Sequence, residues 1–147
     1  MKMMKLTGAC LLILLIAGAA TSCKKESTPT AALNEKIDPT VSAPQSSSGG
    51  FSNGPYGAVT GSARVYLTDG KYQFALENFN TSNGPDLKVY ISKEQNPAHF
   101  VNLGSLKSTS GNQVYDIPTG VDPKDYTYAL IFCQQYNHLF GYTQLTF

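Results

Sequence analysis

The distribution of aromatic side chains divides this chain into two unlike parts. All of its aromatic residues, nine Tyr and seven Phe, lie between Phe51 and Phe147, and the chain contains no Trp. Aromatic residues are enriched in β-strands and supply much of the apolar area that a core buries. A segment without them has little from which to build a core. We therefore predict that the folded domain lies in the second part of the chain.

The charge balance argues against some partners. The chain carries 11 Lys and Arg against 10 Asp and Glu, a formal net charge of +1. A nucleic-acid-binding domain normally carries a basic excess on one face, so we expect no nucleic-acid partner. Only 14% of the residues are charged, which also argues against a charged, solvated tail.

The first 22 residues are typical of a secretory signal peptide. Lys2 and Lys5 give the chain a basic start, and an apolar run follows over residues 6–20. This run is shorter than the ~20 residues that a stable transmembrane helix needs. A basic start followed by a short apolar run is the pattern of a cleaved signal. We predict a signal peptide over residues 1–22.

The next residues resemble the lipobox of bacterial lipoproteins. The small residues 20–22 lead into Cys23, and two lysines follow. In that family the cysteine is acylated and becomes the first residue of the mature chain. The resemblance implies lipidation of Cys23, with membrane lipid as a partner. It also implies a cell-envelope location outside the cytoplasm, on a bacterial membrane that we expect to be the outer membrane. The alternative is a plain signal peptide with an incidental cysteine.

Residues 23–56 are predicted to form the lipidated N-terminus and a flexible linker. They are rich in Ser, Thr and Pro and include a run of Ser and Gly at residues 46–50. Such a composition buries too little apolar surface to offset the entropy of ordering the chain. A flexible linker of roughly 30 residues spans about 30 Å, which would lift a domain beginning near Gly57 clear of the membrane.

The remaining residues, 57–147, show the alternation that β-strands require. Within residues 71–77 the aromatic and long aliphatic side chains recur at every second position, and an Asp69-Gly70 pair before them predicts a hairpin. Residues 126–133 are apolar on both faces, as expected of a central strand. About seven short strands separated by turns predict an all-β fold, either an antiparallel β-sandwich or a barrel-like sandwich.

Five short phrases in this part of the chain occur in the order and spacing of one known family. They are Gly84-Pro85-Asp86-Leu87, Leu103-Gly104, residues 111–118, Ile131-Phe132-Cys133 and Phe140-Gly141. Together they resemble the DM-thirteen domain, an electron-transfer domain found in bacterial secreted proteins and beside DOMON domains in animals and plants. The resemblance covers residues 57–147. It implies a β-sandwich with one recurrent cysteine of proposed redox activity, which is Cys133 here. Gly84, Pro85 and Asp86 are expected to form a turn that begins a strand.

Cys133 is the single cysteine of the predicted domain. Cys10 lies in the predicted signal peptide and Cys23 is the predicted lipidation site, so no disulfide within the mature chain is available. An unpaired cysteine outside the cytoplasm is unusual. Two interpretations stay open: a redox group, or a small hydrophobe packed in the core.

The strand pattern around Cys133 predicts its surroundings. Two-residue alternation places Cys133 on the same face as Ala129 and Ile131, at the end of an apolar strand. We therefore expect the thiol to be partly exposed at the rim of the sandwich, with Phe132 and Phe140 limiting access to the sulfur.

A copper site is an alternative use of the same cysteine. His99, Cys133 and His138 are the only His and Cys side chains of the domain. Two His and one Cys in a β-sandwich resemble the ligand set of cupredoxins. The usual axial Met is absent from the mature chain. We predict no bound cofactor or metal, with copper as the alternative.

Two functional hypotheses follow. The sequence contains no phosphate-binding loop, no nucleophile elbow and no HExxH or CxxC motif, which favours a non-enzymatic role. The first hypothesis is a membrane-anchored β-sandwich that acts in redox or electron transfer through Cys133, with a redox or protein partner still to be identified. The second is a non-catalytic surface module that binds glycan or protein partners. Exposure of Tyr56, Tyr136 and Tyr142 on one flat patch would favour the second.

Overall fold

Strands joined by turns and short loops make up the described part of the chain, which is residues 27–147 of a computed structural model. In chain order they are β1 (Leu33–Asn34), β2 (Ser42–Pro44), β3 (Ser47–Ser48), β4 (Ser52–Asn53), β5 (Val59–Thr68), β6 (Lys71–Thr81), β7 (Leu87–Ser92), β8 (Phe100–Ser105), β9 (Ser110–Asp116), β10 (Tyr128–Cys133) and β11 (His138–Thr146). One turn of 3-10 helix, Pro123–Asp125, lies between β9 and β10. The prediction of an all-β fold is confirmed.

These strands form two sheets. The first has the order β1-β9-β6-β5-β2. The second runs β11-β10-β7-β8, and both β3 and β4 pair with β11. Neighbouring strands are antiparallel except for β1 and β9, which are parallel. The predicted antiparallel sandwich is therefore confirmed, with one parallel pair at an edge.

The predicted signal peptide and the predicted lipidation site, Cys23, lie outside the described residues. Across residues 27–147, the structure contains no helix of the length and apolar character needed to cross a membrane.

The predicted hairpin at Asp69 and Gly70 joins β5 to β6. These two residues have φ values of 48° and 77°, which are the left-handed values of a type I′ turn. Gly adopts such values freely and Asp tolerates them better than most residues. The Asp-Gly pair is therefore the local cause of the hairpin.

The main core lies between the two sheets and is built from alternate positions of their central strands. Fully buried members include Val65, Phe74, Leu76, Val89 and Ile131. A second apolar cluster, with Tyr90, Leu130 and Phe132 buried, includes the alternate residues of β7 and β10. β10 is thus buried on both faces, as the apolar pattern of residues 126–133 predicts.

The segment predicted to be a flexible linker lies along the domain from Thr28 onward. β1 pairs with β9, β2 with β5, and β3 and β4 with β11. The backbone N–H of Thr28 donates to the carbonyl of Gly84 at 3.4 Å. The structure differs from the prediction because pairing at a sheet edge uses backbone groups, which a Ser- and Pro-rich composition does not reveal. The described structure therefore starts well before the predicted domain boundary at Gly57.

A carboxylate holds this segment to β9. Glu35 follows β1 directly, and its carboxylate accepts hydrogen bonds from the backbone N–H of Val114 at 2.7 Å and from the ammonium of Lys107 at 2.8 Å. Desolvation raises the pKa of the Glu35 carboxyl, but the bonds from Lys107 and Val114 together outweigh it. Its pKa therefore lies below the ordinary value of 4.5.

We expect Glu35→Gln to destabilise the domain at pH 7 and to lose this effect in acid. Because the folded-state pKa is depressed, the stabilisation by Glu35 is complete above the unfolded pKa of about 4.5 and is lost as the pH falls through the folded value. The carboxylate is partly solvated, so the difference at pH 7 should stay below about 1 kcal/mol. The measurement is urea unfolding of both chains from pH 7 to pH 3. A difference that persists unchanged to pH 3 would contradict this account.

Candidate functional site

Cys133 is the last residue of β10 and lies at one end of the sandwich. Pairing with β7 and β11 places Leu87 and His138 opposite it. Its side chain belongs to the main core cluster together with Ala129 and Ile131, the two residues predicted to share its face. The candidate redox residue therefore ends a central strand between two paired neighbours.

The prediction that Cys133 is partly exposed is wrong. The residue retains 1% of its accessible surface. Cys133 lies in the main core cluster together with Leu87 and Phe140, and a β-carbon on Gly84, in the turn before β7, would lie 2.9 Å from side-chain atoms of both. The alternation within β10 could not show this burial, because the other residues of the cluster come from strands remote in sequence.

The motif turn Gly84-Pro85-Asp86 closes this end of the sandwich. The backbone N–H of Gly84 donates to the Asn83 side chain at 2.7 Å. The carbonyl of Asp86 accepts from the backbone N–H of Gln134 at 3.0 Å, which ties the turn to the residue after Cys133. The Asp86 carboxylate also lies 3.0 Å from the ammonium of Lys88. β7 begins directly after the turn, so its three residues both start a strand and are tied to the residue that follows Cys133.

The two residues expected to shield the sulfur lie in different clusters. Phe140 shares the core cluster of Cys133, whereas Phe132 belongs to the second cluster. Phe132 stacks on Tyr90 with ring centroids 5.4 Å apart, and Tyr90 stacks on Phe100 at 4.3 Å. Phe140 therefore shares the core of Cys133, whereas Phe132 belongs to a row of stacked rings.

The two histidines of the alternative copper set lie at opposite ends of β10. His138 pairs with Cys133, whereas His99 precedes β8 at the end where β10 begins. The length of β10 separates these ends by about 17 Å, at 3.3 Å per residue. His99 Nδ1 lies instead 2.8 Å from the Glu94 carboxylate. Over residues 27–147 no group of three His, Cys, Asp or Glu side chains is placed to hold a metal ion.

An exposed aromatic patch lies beside Cys133 and consists of Tyr56, Tyr136 and His138. The rings of Tyr56 and His138 stack with centroids 3.6 Å apart and planes within 1°. The Tyr136 ring centroid lies 5.9 Å from that of His138. Both tyrosines are 55% exposed. Tyr142, the third tyrosine considered for a binding surface, is half-buried against the second cluster and does not join the patch.

Two cavities of the domain differ in their distance from the candidate site. One of about 760 Å³ lies at the far end of the sandwich, between the β5–β6 hairpin and the loop after β9, and no candidate site residue lines it. One of about 410 Å³ adjoins the aromatic patch and is lined partly by Tyr56, Phe132 and Asn137. The smaller cavity is therefore the one adjacent to the candidate site.

These features define a class of domain, namely a two-sheet sandwich with one buried cysteine at the end of a central strand. A family model described as "Electron transfer DM13" matches residues 51–145. The chain therefore belongs to the DM13 electron-transfer family, which confirms the resemblance seen in the sequence. The match begins before the predicted boundary at Gly57. No curated protein matches the chain significantly, and no solved structure does so.

We expect native Cys133 to react with a thiol reagent only when the domain opens locally or globally. Because 1% of the residue is exposed, labelling should be about 10³-fold slower than for a free thiol. The matched control is a chain with Cys133→Ala and Tyr136→Cys, which carries its thiol on an exposed turn and should react at the free rate. Equal rates in the two native chains would contradict the burial of Cys133.

Proposed function

We propose that this chain is a cell-envelope lipoprotein whose DM13 domain takes part in redox or electron transfer through Cys133. Family membership supports the electron-transfer role. The lipobox-like residues around Cys23 support anchoring outside the cytoplasm. The observation that carries the assignment to Cys133 is its position: the family's recurrent cysteine lies at the end of a central strand, buried in one core cluster with Leu87 and Phe140.

A single thiol restricts the chemistry. With Cys23 acylated, Cys133 has no second thiol in the mature chain with which to form a disulfide. We therefore propose exchange with a partner disulfide. The Cys133 thiolate attacks one sulfur, a mixed disulfide forms, and the other partner sulfur leaves as a thiolate. A thiolate of a second partner, a reduced dithiol, then attacks the Cys133 sulfur and releases the first partner with both of its sulfurs reduced. The other thiol of the second partner attacks the new mixed disulfide, which restores Cys133 and leaves the second partner as a disulfide, so two electrons pass from the second partner to the first.

Access to the sulfur requires the motif turn to move. Gly84 is buried and Pro85 and Asp86 are half-buried, and local opening of a turn requires less free energy than global unfolding. The turn would act as a cover that keeps the thiol from small oxidants until a partner displaces it. This role would explain why the Gly-Pro-Asp phrase and the cysteine occur together.

The test is a redox titration of the acylated full-length chain in buffers of reduced and oxidised glutathione. We expect one glutathione per chain, bound at Cys133, with a defined midpoint potential. Cys133→Ala should bind none and should keep its melting temperature within a few degrees. Wild-type protein that stays unmodified at every potential, during incubations long enough for local opening, would overturn the redox assignment.

The alternative function is binding of glycan or protein partners. The observation that favours it is the exposure of Tyr56 and Tyr136 on either side of His138. Tyrosine rings offer a flat apolar face and a polar hydroxyl to a ligand. Binding of soluble envelope polysaccharide that is lost in a Tyr56→Ala, Tyr136→Ala chain would support this alternative, and full retention would exclude the patch.

A further inference from the structure

We infer that the end of the sandwich carrying the aromatic patch and Cys133 rests on the surface of the membrane that anchors Cys23. The inference depends on the proposed lipidation of Cys23. Its own evidence is the point at which the described chain leaves the domain, together with the side chains around that point. The partner surface is the headgroup region of a lipid bilayer.

Thr28 fixes the point at which the anchor leaves the domain. Its backbone N–H and its hydroxyl both donate to the Gly84 carbonyl, at 3.4 and 3.3 Å. Its own carbonyl accepts from the Asn83 side-chain amide at 2.9 Å. The next residue, Pro29, accepts from the backbone N–H of Thr109 at 2.8 Å. Thr28 is 8% exposed, so backbone and side chain together hold this position on the domain.

The distance from Thr28 to the lipid is short. Five residue steps separate Thr28 from Cys23, and an extended chain spans at most ~3.6 Å per residue, or about 18 Å in all. A domain of this size is roughly 35 Å across. The connection is therefore shorter than the domain, so only the surface near Thr28 can lie on the membrane that holds the acyl chains.

The aromatic patch lies at this same end. Gly84, which holds Thr28, is two residues from Asp86, and the Asp86 carbonyl accepts from Gln134 at 3.0 Å. Gln134 belongs to the turn that carries Tyr136. Tyrosine favours the membrane–water interface because its ring enters the apolar boundary while its hydroxyl stays hydrated. The exposed tyrosines are thus placed where an anchored domain would meet headgroups.

The charges of the two ends fit this orientation. Next to the lipid, the sequence places Lys24 and Lys25 with one carboxylate, Glu26, so this segment keeps a net charge of +1, which attracts anionic headgroups. The one carboxylate of the motif turn, Asp86, is paired with Lys88 at 3.0 Å. The turns at the far end carry more carboxylates than ammonium groups, with Asp69, Glu94, Asp116, Asp122 and Asp125 against Lys71, Lys93 and Lys124. An anionic surface therefore favours the Thr28 end over the opposite one.

This orientation also places Cys133 toward the membrane, because Cys133 ends β10 at the same end of the sandwich. A disulfide partner held in or on that membrane would meet the motif turn directly. A partner free in the surrounding solution would have to enter between the domain and the lipid.

The test uses the acylated full-length chain, isotope-labelled, in lipid nanodiscs that contain a lipid with a gadolinium-chelate headgroup. We expect paramagnetic relaxation of the Gly84 and Tyr136 amides to exceed that of the Gly70 and Gly120 amides at least about tenfold, because the two ends are separated by most of a domain roughly 35 Å across. Equal relaxation at both ends would overturn the inference.

Two variants test whether the aromatic patch and the short connection to Cys23 cause this orientation. Tyr56→Ser with Tyr136→Ser should lower the contrast between the ends severalfold at an unchanged melting temperature. An insertion of about 20 Gly and Ser residues before Ser27 gives a flexible reach of about 25 Å and should also lower the contrast between the ends severalfold. A contrast that survives both changes would overturn the argument from tether and patch.

The same sample separates this inference from the proposed function. Mass spectrometry of the mature N-terminus reports acylation of Cys23 by itself. An acylated chain with equal relaxation at both ends overturns only the orientation, whereas a chain without the acyl group overturns the anchoring. If the tyrosine signals respond to soluble polysaccharide and not to headgroups, the patch is a glycan site and the inference fails.

Discussion

A chain that begins at Gly57 is expected to lose most of its folding stability, on the order of 5 kcal/mol, relative to a chain that begins at Ser27. The shorter chain lacks β1 to β4 and the ring of Phe51, which packs edge-on against Phe79 at 5.8 Å. It also lacks Glu35 and its bonds to β9. The measurement is urea unfolding of the two chains at one protein concentration.

The same truncation should cause self-association. Removal of the early strands leaves the outer backbone groups of β9, β5 and β11 without their partners. Unpaired sheet edges are templates for pairing between chains. Sedimentation should therefore show oligomers of the shorter chain and a monomer of the longer one. Equal unfolding midpoints with both chains monomeric would restore the interpretation of this segment as a passive linker.

Gly111→Ala is expected to lower the free energy of unfolding by about 3 to 4 kcal/mol, against about 1 kcal/mol for Gly120→Ala. Both glycines have positive φ, 96° and 88°, so both substitutions strain the backbone. The two positions differ in the room available for a β-carbon. A β-carbon on Gly111 would collide with the carbonyl group of Leu33 in β1, whereas nothing lies within 4 Å of one on Gly120. The matched pair therefore isolates the attachment of β1 to β9.

Two measurements check the Gly111 prediction. Urea unfolding gives the difference between the variants, and amide exchange should show loss of protection at Glu35, which donates its backbone N–H to Asn112 at 3.0 Å. Similar losses in the Gly111 and Gly120 variants would mean that β1 contributes little to stability.

The central strands could be predicted from sequence because burial leaves a pattern in side-chain polarity. β6 alternates, β10 is apolar on both faces, and the Asp69-Gly70 pair specifies its own turn. The edge strands β1 to β4 leave no such pattern. They are short and polar, and their attachment depends on backbone hydrogen bonds and on single contacts such as that of Glu35 with Lys107. Composition therefore misrepresented an attached segment as a free one.

Some features of the candidate site could likewise be predicted from local sequence, and others could not. The direction of the Cys133 side chain followed from alternation along β10, a local property. Its depth did not, because residues that share its core cluster, such as Val65 and Phe74, come from strands remote in sequence. The stacking of Tyr56 on His138 was equally hidden, since it joins residues more than eighty positions apart. Local periodicity predicts faces, whereas cover and patch composition depend on long-range pairing.

The free cysteine has a consequence for how the fold responds to its surroundings. Cys133 is unpaired and buried, so no covalent cross-link fixes the described domain, and its stability rests on packing and strand pairing alone. Adding a thiol reductant should therefore leave the melting temperature unchanged, unlike that of the many small secreted domains that unfold when their disulfides are reduced. Reduction therefore cannot unfold such a domain, whereas any modification of Cys133 itself must first displace the packing around a buried sulfur.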